Sequence, residues 1–199
     1  AILTVVDEIP QENEFRPPYA GENKSYSYTY SDIDFAKLDS YSILPVISGT
    51  PDMSEAELQF ERPFMDFGSG WYRRQVHGEA HSFSYGRETS LHTGTAALMF
   101  LLDIPIEQKE LAVIRFIQRG IDLFGIYDDA TKDGRGNPWH SAGGHHAGRK
   151  FNIMFSGFML NDDPMINVDN GNLVGQALFQ EDGQTEYIDQ NRVDITQSG

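Results

Sequence analysis

Two consecutive helical patterns between Thr89 and Asp129 constrain the fold of this chain more than any other feature. The first, Thr89–Asp103, is apolar on most sides after Ala96, which indicates a largely buried helix. The second, Pro105–Asp129, starts with a proline suited to a first helical turn. Its apolar residues recur at steps of three to four, on a stripe formed by Leu111, Ile114, Ile117 or Gln118, Ile121 and Phe124. The pair predicts an αα-hairpin around the sequence "DIP".

Two further helices extend this pattern to a mainly α fold built of helical hairpins. Ser54 stands three residues before Glu57 in a capping-box pattern, so a short helix should run to about Glu61 and stop before Pro63. A third amphipathic or buried helix covers Arg149–Asn161 and should end at "DDP". Gly120 costs its helix about 1 kcal/mol relative to Ala, which indicates that another helix approaches closely there. Short strands on either side of a hairpin turn at "EDGQT" are expected near the C-terminus, with Glu181 or Asp182 facing a site as the alternative.

The N-terminal quarter of the chain differs in character. "FRPPYAGENK" contains Pro-Pro, which favours extended backbone and forbids helix. "SYSYTYSDIDF" alternates Tyr with Ser or Thr, as a strand or extended segment with an aromatic face would. The tyrosines either pack on the domain surface or form a platform for stacking sugars. The division predicted is an extended, irregular arm over 1–50 and a helical domain over 51–199, which can be a fragment of a larger protein.

Composition and charge exclude several classes of function. The 199 residues carry a net charge of −15, which would repel the phosphates of nucleic acid. The chain has no cysteine, which excludes disulfides, zinc thiolate sites and thiol nucleophiles. It has no run of 18 apolar residues, so we expect no membrane span. An acidic chain that starts with Ala rather than Met suits a mature extracellular or periplasmic protein.

The first candidate site is the glycine-rich loop "NPWHSAGGHHAGRK", which contains three of the six histidines. Because it leads into a helix N-terminus and ends in Arg149 and Lys150, it should hold a carboxylate or sulfate group. His145 and His146, with pKa values near neutrality, suit proton transfer. His140, His145 and His146 could instead bind a divalent metal, although their spacing lacks the i, i+4 pattern of helical ligands. The structural alternative is a loop whose histidines hydrogen-bond to its own turn.

The second candidate site is the long loop "MDFGSGWYRRQVHGEAHSFSYGRE", Met65–Glu88. Arg74 and Arg87 could bind carboxylates, and Trp71, like Trp139 of the first loop, offers a face for a sugar ring. Tyr85 and His81 are candidate proton donors. The alternative is that the aromatic residues belong to the core and the arginines pair with surface acids.

Three stretches together resemble a group of large exported bacterial proteins, mostly of unassigned function. The stretches are "FRPPYAGENK", "YGRETSLHTGTAALMFLLDIPIEQKELAVIRFIQRGIDLFGI" and "GGHHAGRKFNIMFSGFMLNDDPM". In that group Gly-Gly-His-x-x-Gly-Arg-Lys follows a helix that ends like "QRGIDLFGI". Here the motif covers residues 143–150. The helical hairpins also resemble part of the (α/α) toroid of polysaccharide lyases and glycoside hydrolases, which would make the chain one module of a larger fold.

The resemblance to lyases implies an enzyme that acts on an acidic polysaccharide. In such enzymes Arg or Asn neutralises the uronate carboxylate while His or Tyr removes the adjacent proton. His145, His146, Tyr85 and His81 are then the catalytic candidates and Arg149, Lys150, Arg87, Arg74, Trp71 and Trp139 the substrate-binding ones. No cofactor is expected, with a divalent metal at the histidines as the exception. The alternative function is a non-catalytic extracellular filament or surface-layer subunit that assembles through its N-terminal arm.

Overall fold

The structure is a computed structural model that describes residues 5, 11–62, 86–132, 138–140, 143–144, 146–168, 179–183 and 190. Within these residues the fold is mainly helical, as predicted, and the regular pairing between chain segments is limited to three isolated bridges. The α-helices are α1 (Phe35–Tyr41), α2 (Met53–Phe60), α3 (Gly86–Phe100), α4 (Glu110–Lys132), α5 (Lys150–Leu160), α6 (Asp163–Ile166) and α7 (Gln180–Gly183).

Helix α4 is the centre of the described fold. Phe116, Ile117 and Leu123 on α4 are fully buried, and the helix packs against both α5 and α2. The predicted apolar stripe is correct from Ile114 onward, whereas Leu111 is 45 % exposed because the buried face begins at Ala112 and Val113. The predicted αα-hairpin is wrong in that α3 and α4 do not pack along their lengths, because α2 packs against both; the end of α3 meets α4 through Phe100 and Phe116, with ring centroids 5.3 Å apart.

Gly120 lies where α4 meets α5, and the predicted close approach is confirmed. A Cβ atom at this position would lie 2.0 Å from the Ser156 hydroxyl oxygen and 2.7 Å from the Asn152 carbonyl oxygen. No side chain fits in that space, so the helix accepts the propensity cost of a glycine in exchange for close packing.

Several helix boundaries differ from the sequence-based predictions. Helix α3 covers Gly86–Phe100 rather than Thr89–Asp103, and α4 begins at Glu110 rather than Pro105, because Pro105 precedes a short 3-10 helix at Ile106–Gln108. Helix α2 is capped by Asp52, whose side chain accepts a hydrogen bond from the backbone N–H of Ser54, so Ser54 lies inside the helix. Helix α5 ends before "DDP" because Asn161 adopts a left-handed conformation with φ of 56°. Pro164 then occupies the first turn of α6, where its missing N–H is not needed.

The extended N-terminal segment packs along α4. Residues 14–29 contain a single antiparallel bridge, Glu14 with Thr29, and a helix, α1, follows within the predicted arm. Phe15 and Ile33 are buried in the core. The hydroxyls of Tyr26 and Tyr28 donate to Asp128 (3.0 Å) and Asp162 (2.5 Å), and their rings pack against the core, as the surface-packing interpretation of these tyrosines expects. Burial and these carboxylates raise the pKa of both phenols.

The predicted strands near the C-terminus fall mostly on residues outside the described ranges. Within the described part, Gln180–Gly183 is a short helix, so the hairpin turn expected at "EDGQT" is wrong for Glu181–Gly183. The preceding residue, Phe179, forms an antiparallel bridge with His140. This bridge fixes α7 against the glycine-rich loop.

Lys109 is a buried cation that joins the end of α3 to the start of α4. Its ammonium group donates to the carbonyl oxygens of Phe100 (3.0 Å) and Leu102 (2.6 Å) and to the hydroxyl of Ser42 (2.6 Å). Phe100 is the last residue of α3, where carbonyl oxygens lack a partner within the helix, so Lys109 satisfies the Phe100 carbonyl; the Leu102 carbonyl also accepts from the backbone N–H of Ile104 (2.9 Å). Burial lowers the pKa of this group.

We expect Lys109→Met to lower the free energy of unfolding by about 2 kcal/mol, because it removes the three hydrogen bonds that this buried ammonium group donates. Urea unfolding followed by circular dichroism measures this. Lys37→Met is the matched control, because the Lys37 ammonium also donates to a carbonyl, that of Phe158, but at an exposed position. Equal losses in the two variants would contradict the capping role.

Candidate functional site

The glycine-rich loop folds around a carboxylate of its own chain. Glu181 accepts hydrogen bonds through one oxygen from the backbone N–H groups of Gly148 (2.7 Å), Arg149 (2.8 Å) and Lys150 (3.1 Å). The Lys150 ammonium donates to Asp182 at 2.5 Å. The predicted anion site at the start of α5 therefore exists in chemical terms, and the anion it holds is the carboxylate of Glu181.

Buried contacts also fix His146 and Arg149 in this loop. The backbone N–H of His146 donates to the Gln180 side chain (3.0 Å), and its ring Nδ1 contacts the carbonyl oxygen of His140. His146 and Arg149 are both 0 % exposed, and Arg149 donates to the carbonyl oxygen of Ala147 at 2.7 Å. These positions agree with the structural alternative for the loop. Burial keeps Arg149 from an external ligand, contrary to its predicted role, and Lys150 is neutralised by Asp182.

The aromatic residue of the loop belongs to the core. Trp139 is 1 % exposed, and its ring stacks on Phe179 with centroids 5.9 Å apart. Phe179 stacks in turn on Tyr127 at 5.3 Å. The indole is enclosed, which contradicts the prediction that it stacks on a sugar.

The remaining predicted residues divide into described and undescribed ones. Arg87 is exposed and forms an ion pair with the adjacent Glu88. The rings of His140 and His146 meet at 5.3 Å, and the described residues contain no group of three or more potential metal ligands. The remaining predicted site residues lie outside the described ranges: His145, His81, Tyr85, Trp71 and Arg74. The predicted meeting of the two loops thus stays a prediction.

A different basic site lies between the N-terminal segment, α2 and α4. It is a cavity of about 90 Å³ lined by four arginines, two acids, one Gln and one Phe. We call it the arginine cavity, and its lining residues are Arg16, Phe60, Glu61, Arg62, Arg115, Gln118, Arg119 and Asp122. Four arginines and two acids among the described residues give this lining a net positive charge in a chain of net charge −15.

One face of α4 builds the floor of the arginine cavity. Arg115, Gln118, Arg119 and Asp122 are spaced at three and four residues, which places them side by side. Arg119 is only 6 % exposed, and its guanidinium lies 5.0 Å from the Phe60 ring centroid. Arg115 donates to the Glu57 carbonyl oxygen at 2.9 Å and lies 3.8 Å from Glu61. Sequence periodicity could have identified this polar stripe, but the apolar stripe on the opposite side of the helix dominated the pattern.

Arg16 is attached to the same face by a set of paired contacts. Its backbone N–H and carbonyl oxygen exchange hydrogen bonds with the Gln118 side chain at 3.0 and 3.1 Å. Its guanidinium forms a fork to both oxygens of Asp122, with one contact at 2.6 Å. Burial raises the pKa of Asp122, and the Arg16 charge opposes that rise. Asp122 engages Arg16 and Glu61 lies 3.8 Å from Arg115, so the four arginines of the described lining exceed its carboxylates by two charges.

A groove adjoins the arginine cavity between α2 and α3. It has a volume of about 210 Å³, and Phe60 lines both spaces. His92 of α3 lies in the groove and is half-buried. Burial lowers the pKa of His92 below its ordinary 6.5, and the positive charge of Arg119 lowers it further, while Glu88 opposes the shift.

The lowered pKa of His92 predicts a pH dependence of stability. The unfolded chain binds a proton at this residue at higher pH than the folded chain does, so stability falls as pH drops below 6.5. We expect the wild type to lose stability relative to His92→Gln between about pH 6.5 and pH 5. Urea unfolding of both proteins across this range measures the difference. Parallel pH profiles would contradict a buried neutral imidazole.

No protein-family model, curated protein or solved structure matches this chain. None of the described helices combines the length and the apolar character that crossing a bilayer requires. Function is therefore inferred from the geometry of the arginine cavity and the groove beside it.

Proposed function

We propose that the protein binds an acidic polysaccharide and holds one of its carboxylate or sulfate groups in the arginine cavity. The observation that carries this proposal is the convergence of four guanidinium groups from three chain segments on one small cavity. Arginine presents several N–H donors in a plane, which matches the oxygens of a carboxylate or sulfate. The acidic surface elsewhere would repel such a ligand, so binding concentrates at this position.

The proposal keeps the ligand class that the sequence predicted and moves the binding site. Arg149 and Lys150 already hold Glu181 and Asp182 or are buried, so a ligand would have to displace an internal acid to reach them. The described lining of the arginine cavity has two carboxylates for four arginines: Asp122, which is engaged by Arg16, and Glu61, which is 3.8 Å from Arg115. Cleavage of the polysaccharide, by lyase or hydrolase chemistry, is a separate proposal, and it is tested with the same oligosaccharides.

The alternative function, assembly through the N-terminal arm, has less support from the described contacts. Release of residues 11–34 would expose Phe15 and Ile33 and would break the fork between Arg16 and Asp122. An arm that exchanges between subunits would have to recover these contacts in the partner. Sedimentation of the purified chain tests this alternative, which a discrete monomer would exclude.

Isothermal titration with uronic-acid and sulfated oligosaccharides tests binding. We expect Arg115→Gln to weaken affinity by roughly tenfold or more, since hydrogen bonds to charged groups contribute about 1.5–3 kcal/mol. Arg87→Gln is the matched control, because Arg87 is exposed and lies outside the cavity. A neutral oligosaccharide should not bind, and added salt should weaken the acidic ligands.

Two results would reject the proposal. One is the absence of binding by every acidic oligosaccharide to the wild type. The other is an equal loss of affinity in Arg115→Gln and Arg87→Gln. Appearance of an unsaturated product by ultraviolet absorbance would identify lyase activity, and new reducing ends without that absorbance would identify hydrolysis.

A further inference from the structure

The groove between α2 and α3 has two kinds of lining. Its apolar floor includes Phe60, Ala96 and Met99, each no more than 4 % exposed. Polar side chains stand at its sides, contributed by Gln59 from α2 and by His92 and Thr95 from α3. A sugar ring has the same two properties, an apolar face and hydroxyl groups around its edge, so the lining suits such a ring.

The groove and the arginine cavity adjoin each other at Phe60. Its ring lines both spaces, and the Arg119 guanidinium lies over it at 5.0 Å. A ligand with an anionic group in the cavity therefore reaches the groove by crossing a single aromatic side chain. Together the two volumes come to the lower end of the range of about 300–1,000 Å³ found for small-molecule sites.

The charge of the groove differs from that of the cavity. Glu55 contributes a carboxylate to its lining, and no arginine or lysine does so among the described residues. His92 lies in the interior of the groove, with Glu88 and Arg119 as its charged neighbours. A second anionic sugar in the groove would be repelled by the Glu55 carboxylate, whereas a neutral sugar would not.

We infer that the groove binds the neutral sugar unit adjacent to the acidic one, so that the ligand is a glycan in which acidic and neutral units alternate. This inference rests on the proposed function, because the arginine cavity positions the ligand. His92 and Thr95 supply the hydrogen bonds to the neutral unit, and the Phe60 side chain separates the groove from the arginine cavity. Selectivity against a homopolymer of uronic acid comes from Glu55.

Three ligands distinguish binding in the arginine cavity from binding in the groove. They are glucuronate alone, an oligosaccharide of alternating glucuronate and N-acetylglucosamine, and an oligogalacturonate of the same length. We expect the wild type to bind the alternating oligosaccharide at least tenfold more tightly than either of the others. Thr95→Phe, which fills the groove, should reduce that affinity to the value for glucuronate and leave glucuronate binding unchanged. Leu98→Phe is the matched control, because Leu98 is exposed on α3 and does not line the groove.

Gln59→Phe provides a second blocking variant on α2, for use if Thr95→Phe fails to fold. Glu55→Gln should raise the affinity for oligogalacturonate and leave that for glucuronate unchanged. The inference is overturned if both ligand oligomers bind equally to the wild type, or if a folded groove variant binds the alternating oligomer as the wild type does. Failure of glucuronate and both oligomers to bind would instead overturn the proposed function.

Discussion

Gly148→Ala is expected to lower the free energy of unfolding by about 3 kcal/mol, which would be a large part of the stability of an ordinary domain. Gly148 has a φ of 89°, a conformation that costs a residue with a side chain about 1–2 kcal/mol. A Cβ atom there would also lie 2.6 Å from the backbone nitrogen of Ser90 and 2.8 Å from the carbonyl carbon of Thr89. These are main-chain atoms of α3 and cannot rotate away.

Two other glycines distinguish the cost of the positive φ from the cost of the steric contact with α3. Gly49 also has a φ of 89°, but a Cβ atom there would meet no other atom within 4 Å, so Gly49→Ala should show only the conformational cost. Gly94 lies within α3 and is equally unobstructed, so Gly94→Ala should be neutral or stabilise the protein by up to about 1 kcal/mol. Urea unfolding of the three variants measures the series. A loss at Gly148 no larger than that at Gly49 would disprove the close approach of the loop to α3.

Removal of the Glu181 carboxylate should have the second-largest effect. We expect Glu181→Ala to cost about 3 kcal/mol, because three backbone N–H groups lose a charged acceptor. Glu181→Gln should cost less, since its amide oxygen still accepts hydrogen bonds. The matched control is Asp182→Asn, which removes one ion pair of partly exposed groups and should cost about 1 kcal/mol or less.

An added anion should partly reverse the loss at Glu181. Formate can enter the space left by Glu181→Ala and accept the same hydrogen bonds, and a ligand that binds only the folded state raises its stability. The thermal midpoint of Glu181→Ala should therefore rise with formate more than that of the wild type does, at constant ionic strength. An equal response in both proteins would show that the N–H groups do not form an anion site.

Helices were predictable where local pattern and packing agreed. The apolar periodicity of Pro105–Asp129 predicted α4, and Gly120 predicted a close contact with another helix, which in the structure is α5. Both predictions depend on residues that are close together in sequence. The boundaries of α2 and α5 were less predictable. At each, Asp52 or Asn161 competes with a neighbouring residue of similar capping ability, and the difference in free energy between the alternatives is small.

For the candidate site, the sequence predicted the kind of hydrogen-bonding group that the loop offers, but not which residues bond to it. The glycine-rich loop was correctly expected to offer N–H donors to an anion at the start of a helix. Glu181 is more than 30 residues away in sequence, and although "EDGQT" offered Glu181 or Asp182 as a residue facing a site, no spacing connects it with this loop. The arginine cavity was missed for the same reason, since Arg16 and Asp122 meet only after 106 positions of intervening chain.

By itself the sequence determined that this chain is mainly helical, where its central helix lies and that a loop offering N–H donors leads into a helix. Those properties depend on hydrogen bonds and side-chain periodicity within a few turns of the chain. Tertiary structure decided which anion fills the loop, that Trp139 belongs to the core, and that four arginines surround one cavity. Such outcomes depend on contacts between segments distant in sequence. The same set of charged residues could form many different ion pairs, and the packing of the helices determines which of them form.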